Sequence, residues 1–388
     1  MKVALTIDTF SRTKGGAERY LVDLAQRLSH QGHEVHIFTS RWDEGGDGLS
    51  FHKVHVIPFP KSLRLASFAI NTARSIKREQ FDIALGLGNT LVADVLQPHG
   101  GVHWIWFWRS LRAYGNPVHR GIKLMGRLLS LKQWVSAIIE DVPYRRKGCP
   151  RIIAISQMVK DDIIRHYGVP PENVTLIYNG VDLERFHPEN RRRYREEIRG
   201  GLGIGEELVI LFVSNNHRMK GLDCLIRALA RIKGEGEARP FKLLVLGRGS
   251  MTRYVKASRR LGIDDAIVSI RGTPYPERYY GAADLLVHPT FYDACSLAVF
   301  EALASGLPVI TSKSNGAGGI ITDGKEGFVV DDPRNISTLA DRIHHFFDDP
   351  TREASSRAAR ELAERYPMER NFQEMMKVFQ EVTAQKSP

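Results

Sequence analysis

The chain has little cysteine: Cys149, Cys224 and Cys295 are its three, odd in number and outside any metal-ligand spacing. That excludes a disulfide framework and a zinc knuckle, and it fits a reducing compartment, the cytoplasm by default. No run approaches the roughly 18 consecutive apolar residues that span a bilayer. The opening "MKVALTIDTF" is interrupted by Asp8 and reads as a buried first strand, too short in its apolar part for a signal peptide. No G-x-x-x-x-G-K-[ST] is present for ATP, and the G-x-G at 247–249 lacks the rest of a dinucleotide fingerprint. Short-period repeats and low-complexity tracts are missing too.

What is abundant is positive charge. With 388 residues, 43% hydrophobic and 26% charged, the composition is that of an ordinary globular protein of two or three domains. A formal charge of +11 nevertheless asks for phosphate, on nucleic acid, an anionic membrane or a small molecule.

The first forty residues read strand, Gly-containing turn, helix, strand: "KVALTI", "FSRTKGGAERY", a helix marked by Ala17, Leu21, Leu24 and Leu28, then "EVHIFTS". The plan restarts near residue 208 with "LVILFVS", the loop "NNHRMKG" and a helix marked by Leu222, Leu225, Ile226 and Leu229. "FKLLVLGRGS", "AIVSIRG" and "ADLLVHP" supply further short strands. Apolar strands alternating with helices predict an α/β fold of two doubly wound, Rossmann-like domains. Such sheets bind ligands at the carboxyl ends of their strands. The boundary is set at 178/179, with domains at 1–178 and 179–367 and a helix at 368–388 expected to pack back on the first. The stretch "YNGVDLERFHPENRRRYREEIRG" reads as a charged link with a poor core.

Residues 104–135 are chemically unlike the rest. They hold Trp104, Trp106, Trp108 and Trp134, four of the five tryptophans, with Arg109, Arg112, Arg120, Lys123, Arg127 and Lys132, and no acid occurs before Glu140. From Ile122 to Val135 the apolar residues keep helical spacing opposite the basic ones. Tryptophan and cations on one amphipathic surface suit the headgroup layer of an anionic membrane, so these residues are assigned to a membrane surface. Clustering beside tryptophans, rather than along a groove-reading element, counts against nucleic acid.

The stretch "FYDACSLAVFEALASGLPVI" places Asp293 in a loop after a strand and Glu301 about one and a half turns into a helix begun at Cys295. First-turn N–H groups near Cys295, Ser296 and Leu297 would hold a phosphate, and acids on either side would accept from sugar hydroxyls. A ligand with hydroxyls flanking a diphosphate satisfies both, and a nucleotide sugar is such a ligand.

Asp293-x7-Glu301 followed by "ALASGLPVI" resembles the E-x7-E segment of retaining glycosyltransferases of the GT-B fold, the sucrose-synthase and mannosyltransferase-like family 4. "AIS" with Lys160, "LIYNGVDLERFHP", "VSNNHRMKGLDCLIRAL", "LGRGS" and "GGIITDGKEGFVV" extend the likeness in order over nearly the whole chain. The first acid departs from the family's usual Glu by one methylene. The resemblance implies two Rossmann-like domains facing across a cleft, the first binding acceptor and the second the nucleotide sugar. It implies that Arg218 and Lys220 neutralise the donor diphosphate and the leaving group. Glu301 would accept from ribose hydroxyls, and Asp293 would lie at the transferred sugar. Ser296 and Leu297 would offer backbone N–H groups, and Gly15 and Gly16 would let the first-domain loop approach the diphosphate. His99, favoured over His103, would face the donor sugar, and Asp94 the acceptor. No Asp-x-Asp occurs, so no metal is expected to be required, and no other cofactor is implied.

Among family members the chain looks like the bacterial enzymes that add glucose to the lipopolysaccharide inner core, which share a basic, tryptophan-bearing helix. The expectation is a peripheral enzyme on the inner face of the cytoplasmic membrane, moving a hexose from UDP-glucose or a related donor to a lipid-linked glycan. A nucleotide-sugar epimerase of the same fold, or a non-catalytic basic membrane- or nucleic-acid-binding protein, are the alternatives.

Overall fold

The computed structural model describes residues 1–43, 45–146, 148–236 and 239–386. The chain forms two compact units. One contains Met1–Leu111, Gly115–Tyr178 and the C-terminal stretch from Phe372; the other contains Arg112–Tyr114 and Asn179–Asn371.

In the first unit β1 (Lys2–Thr6), β2 (Thr9–Phe10), α1 (Gly16–His30), β3 (Glu34–Thr39), β4 (Arg41–Trp42) and β5 (Leu49–Lys53) come first. They are followed by α2 (Lys61–Ile76), β6 (Ile83–Gly86), β7 (Val95–Leu96), α3 (His103–Leu111), α4 (Pro117–Leu128) and α5 (Leu131–Arg145). β8 (Arg151–Ala154), α6 (Gln157–Tyr167) and β9 (Val174–Leu176) complete the sheet. Its order is β5-β3-β1-β6-β7-β8-β9, all parallel. β2 and β4 form a separate parallel pair.

The second unit contains α7 (Glu189–Gly201), β10 (Leu208–Val213), α8 (Leu222–Gly234), β11 (Phe241–Leu246), α9 (Thr252–Arg260) and β12 (Ile267–Ile270). Then come α10 (Pro276–Ala282), β13 (Leu285–His288), α11 (Leu297–Ala304), β14 (Val309–Ser312), β15 (Gly327–Val330), α12 (Ile336–His345) and α13 (Asp349–Ala363). Last is α14 (Met368–Lys386), whose Phe372, Met375, Val378 and Phe379 enter the core of the first unit beside Val3, Leu5 and Ile83. The second sheet runs β12-β11-β10-β13-β14-β15, again all parallel. This is the doubly wound order in which the strand sequence reverses between β10 and β13. The fold is therefore α/β with two Rossmann-like units, as the strand–helix alternation predicts.

Two local readings change. The charged stretch after Asn179 is not a loose link: its second half is α7, with Arg191, Arg195 and Arg199 converging on Asp284 at 3.0, 3.0 and 2.6 Å. Asp284 is 4% exposed, and although burial alone would raise its pKa, the three guanidinium groups hold it below the usual carboxylate range. The arginines thus build a core contact. The helix after Asp293 also starts at Leu297, not Cys295, so Glu301 stands just over one turn in.

Candidate active site

At the reversal point the loops leaving β10 and β13 are tied to each other. Phe291 N–H donates to Met219 O (2.8 Å), and so does the Thr290 hydroxyl (3.2 Å). Gly221 ends the first loop at φ +80°, and a Cβ there would lie 2.1 Å from Pro289 O. Only glycine permits this approach, which brings Lys220 beside the second loop. That loop is held in turn by Asp293 N–H to Ser314 O and Gly316 N–H to Asp293 O, each 2.9 Å. Every backbone segment that carries a candidate charge is therefore pinned.

The Lys220 ammonium donates to the Asp293 carboxylate and, at 3.4 Å, to Tyr292 O. The expected diphosphate cation and sugar-side acid are thus partners of each other. Burial alone would raise the Asp293 pKa, but Lys220 and, more weakly, His288 hold it well below the usual range, so Asp293 is a carboxylate. His288 Nε2 lies 3.7 Å from Asp293 Oδ2, too long for a hydrogen bond. Neither ring nitrogen of His288 has a partner among the described residues, and burial lowers its pKa, so the ring is neutral. Arg218 lies over the ring of Tyr114, 4.4 Å from its centroid.

α11 is apolar on all sides and buried, Glu301 included at 8% exposure. Tyr280 donates its hydroxyl to Glu301 Oε2 at 2.8 Å. Ser296 N–H is not free, as the expectation required; it donates to Asn315 Oδ1 at 3.2 Å. Leu297 N–H is the next donor along and opens α11. Asn179 donates to Cys295 O at 3.0 Å, and its buried Oδ1 has no partner among the described residues. Tyr280, His288, Asn179 and Asn315 were not singled out from the sequence. "YNG", "VHP" and "SNG" carry the signal, a polar side chain next to a Gly or Pro turn. Among the described residues no cluster of three or more His, Cys, Asp or Glu could hold a metal ion.

In the first unit Gly15 is the extended N-cap of α1 (φ −168°) and Gly16 its first, exposed residue. His99 packs on Tyr20, ring centroids 4.7 Å apart, with Nε2 sealed from solvent and without a partner among the described residues. Burial lowers its pKa to about 4, so it too is neutral at pH 7. Asp94 serves the fold: Oδ2 accepts from Ala84 N–H (2.7 Å) and from Lys386 (2.6 Å).

The membrane-surface assignment needs correction in detail. Residues 104–135 fall on three helices, and the break between α4 and α5 interrupts the single helical stripe read from Ile122 to Val135. Arg127 points inward: 8% exposed, it donates to Phe107 O (2.7 Å) and Ser110 Oγ (2.8 Å) and lies 5.1 Å from the Trp106 ring. Arg109 pairs with Asp162 (3.3 Å), and Arg112 with Asp332 (2.9 Å). Trp104 and Trp106 are half-buried in an aromatic cluster with His103, Phe107 and Trp134. Trp108 is exposed, as are Arg120, Lys123 and Lys132, which have no ion pair among the described residues. The apolar face is larger than foreseen. Val118, Ile122 and Met125 follow one stripe along α4 that continues to its cap Leu129, and Leu131, Trp134, Ile138 and Val142 another along α5, all exposed. Among the described residues no helix is long and apolar enough to cross a membrane.

Two Rossmann-like units, with a lysine, an arginine, a half-buried Asp293 and a buried Glu301 at the second unit's reversal point, fit the class of GT-B glycosyltransferases. Residues 14–185 match the family model Glycosyltransferase Family 4, and residues 194–362 match Glycosyl transferases group 1. The chain is a glycosyltransferase carrying both domains. It is 26% identical over 86% of its length to the D-inositol 3-phosphate glycosyltransferase 2 of Catenulispora acidiphila, of which 84% is covered. Among solved structures it resembles WaaG, a glycosyltransferase involved in lipopolysaccharide biosynthesis (TM-score 0.82, 21% identity, 97% of this chain and 99% of that one). It also resembles Anabaena Alr3699/HepE in complex with UDP-glucose (TM-score 0.72, 19% identity, 98% and 100% covered).

Proposed function

We propose that the chain is a retaining hexosyltransferase that takes UDP-glucose or a related nucleotide sugar and passes the hexose to a lipid-linked glycan, without a required metal. The observation that carries this reading is the Lys220–Asp293 pair on pinned loops beside the N-terminus of α11. A donor diphosphate replaces the carboxylate as partner of Lys220, with Arg218 and Leu297 N–H as further donors. Asp293, kept ionised, then stands beside the anomeric carbon and stabilises the positive charge that grows there. Glu301, oriented by Tyr280, accepts from ribose hydroxyls. The bond from C1 to the phosphate oxygen breaks and a bond from C1 to the acceptor oxygen forms on the same face. The acceptor proton passes to the departing phosphate. The UDP-glucose complex of HepE supports the donor, and the lipopolysaccharide role of WaaG supports the acceptor class.

The exposed stripes of α4 and α5, with Arg120, Lys123 and Lys132, fit an anionic membrane surface at which an amphiphilic acceptor is met, on the cytoplasmic side. A second acceptor reading, a soluble polyol phosphate, is favoured by the name of the inositol 3-phosphate relatives. The test is a panel of nucleotide sugars incubated with the protein alone, with released nucleotide measured. Release from one UDP-hexose, abolished by Lys220→Ala, supports the reading. Equal release by wild type and Lys220→Ala, or none from any donor, contradicts it.

A further inference from the structure

His288 closes β13, and its place is fixed from the backbone outward. Its carbonyl accepts from Thr290 N–H (2.8 Å) and from the Thr311 hydroxyl of β14 (2.9 Å). The ring stacks on Phe212 of β10, centroids 6.0 Å and planes 22° apart, and the residue is 1% exposed. Pro289 comes next, and its carbonyl is the group against which Gly221 closes. The contact that carries Lys220 to Asp293 therefore sets the imidazole there as well. Both meet the same oxygen, Asp293 Oδ2.

Neither ring nitrogen has a hydrogen-bond partner among the described residues. Burying them unused has a cost that an apolar ring stacked on Phe212 would avoid. His217, across Phe212, has equally unpartnered nitrogens but meets Tyr254 and Gly249 instead of an acid. His288 faces two charged groups, Asp293 and Lys220, while β10 and β14 present Phe212 and Thr311 to it. Its 3.7 Å separation from Asp293 is about 1 Å beyond a good hydrogen bond, a gap that a turn of the carboxylate closes. Burial, and then the charge of Lys220, keep a proton off the ring, whereas Asp293 favours one. The lysine holds the place that a protonated imidazole would take.

We propose that His288 is the positioning residue that takes over Asp293 when a donor diphosphate draws Lys220 away: the imidazole accepts one proton from solvent and pairs with the carboxylate in the lysine's place. Asp293 then stays ionised and aimed at the sugar although its first partner has gone, and the added proton offsets part of the negative charge that the diphosphate brings. The proton returns to solvent when the nucleotide leaves and Lys220 swings back. The proposal rests on the nucleotide-sugar reading for its trigger, though not for the Lys220–His288 exchange itself.

Two measurements on the full chain test it. Calorimetry with UDP-glucose at pH 7, in phosphate and in Tris, counts protons from the difference in buffer ionisation heat; neither phosphate of this ligand has a second proton to lose. The wild type takes up about one proton, and its affinity falls about 10-fold per pH unit as pH rises from 7. His288→Gln, which can donate to Asp293 but cannot carry charge, takes up none and binds with an affinity independent of pH. A merely structural role would weaken binding equally at every pH. The second measurement needs no ligand: imidazole nitrogen NMR, with His288→Gln assigning the signal. The His288 ring is neutral at pH 7 in the wild type, protonated in Lys220→Met, and neutral again in Lys220→Met/Asp293→Asn. Binding of UDP-glucose without proton uptake overturns the proposal, as does uptake that survives His288→Gln or a neutral ring in folded Lys220→Met. If UDP-glucose does not bind while the ring is protonated in Lys220→Met, the exchange stands and the UDP-glucose reading is removed instead.

Discussion

The loops at the reversal point of the second sheet and helices α3 to α5 of the first unit both concentrate cations, in opposite ways. At the reversal point Lys220 is paired, the neighbouring backbone is cross-tied, and the one glycine that allows the approach is sterically required. Charge there is spent on order before any ligand arrives, as preorganised electrostatic catalysis requires. On α4 and α5 the exposed cations Arg120, Lys123 and Lys132 have no ion pair among the described residues and stand among apolar side chains open to water. Such a surface is costly for a free protein and suits a soft, anionic, amphiphilic partner. The difference separates a site built for one geometry from a face that we propose for adhesion.

The largest effect falls on the ordered site. Lys220→Ala lowers kcat/KM by about 10²- to 10³-fold and also lowers the melting temperature, because the half-buried Asp293 loses the cation that pairs with it. The double variant Lys220→Met/Asp293→Asn regains stability without regaining activity. Paired thermal melts and turnover assays check both halves. If the double variant is as inactive and as unstable as the single one, the pair does not order the site.

A middle-sized effect is expected on the exposed α4–α5 face. Ile122→Asp with Leu129→Asp reduces flotation with anionic vesicles more than 10-fold, since two apolar anchors are lost and two repulsive charges gained. Nucleotide-sugar hydrolysis in detergent-free buffer is unaffected. Equal loss of hydrolysis would mean that the two regions are not separable.

The smallest effect concerns Glu140, on α5 beneath the tryptophan cluster. It accepts from His103 N–H and the Tyr167 hydroxyl, both at 2.7 Å, yet burial dominates and raises its pKa to about 7. A carboxyl whose pKa rises on folding favours the fold while protonated, and that contribution fades as pH climbs from about 4.5 through 7. Glu140→Gln therefore gains on the order of 2 kcal/mol relative to wild type at pH 8 and nearly nothing at pH 4. Denaturant titrations at both pH values read the difference.

Much of this was legible beforehand, and unevenly. The strand–helix alternation yields both sheets, because parallel strands buried on two faces are written as continuous apolar runs. Lys220, Asp293 and Glu301 lie near Gly and Pro punctuation that fixes their loops, so their neighbourhood could be read. What could not be read is who partners whom. Nothing local tells that Asn315 takes Ser296 N–H, that Tyr280 holds Glu301, or that Arg127 turns inward while Lys123 stays out. Those depend on residues 19 to 21 positions apart meeting in space. The arginines of α7 teach the same lesson: a dense run of charge looks like solvated linker until the acid they share, Asp284, is seen at its far end.

The central claim is that Lys220 exchanges its carboxylate for a nucleotide diphosphate. Titration calorimetry with UDP, on wild type and Lys220→Ala at low and high salt, addresses it most directly. The account predicts at least about 10-fold weaker binding in the variant and a shallower salt dependence. Equal affinity and equal salt dependence in the two proteins would contradict it.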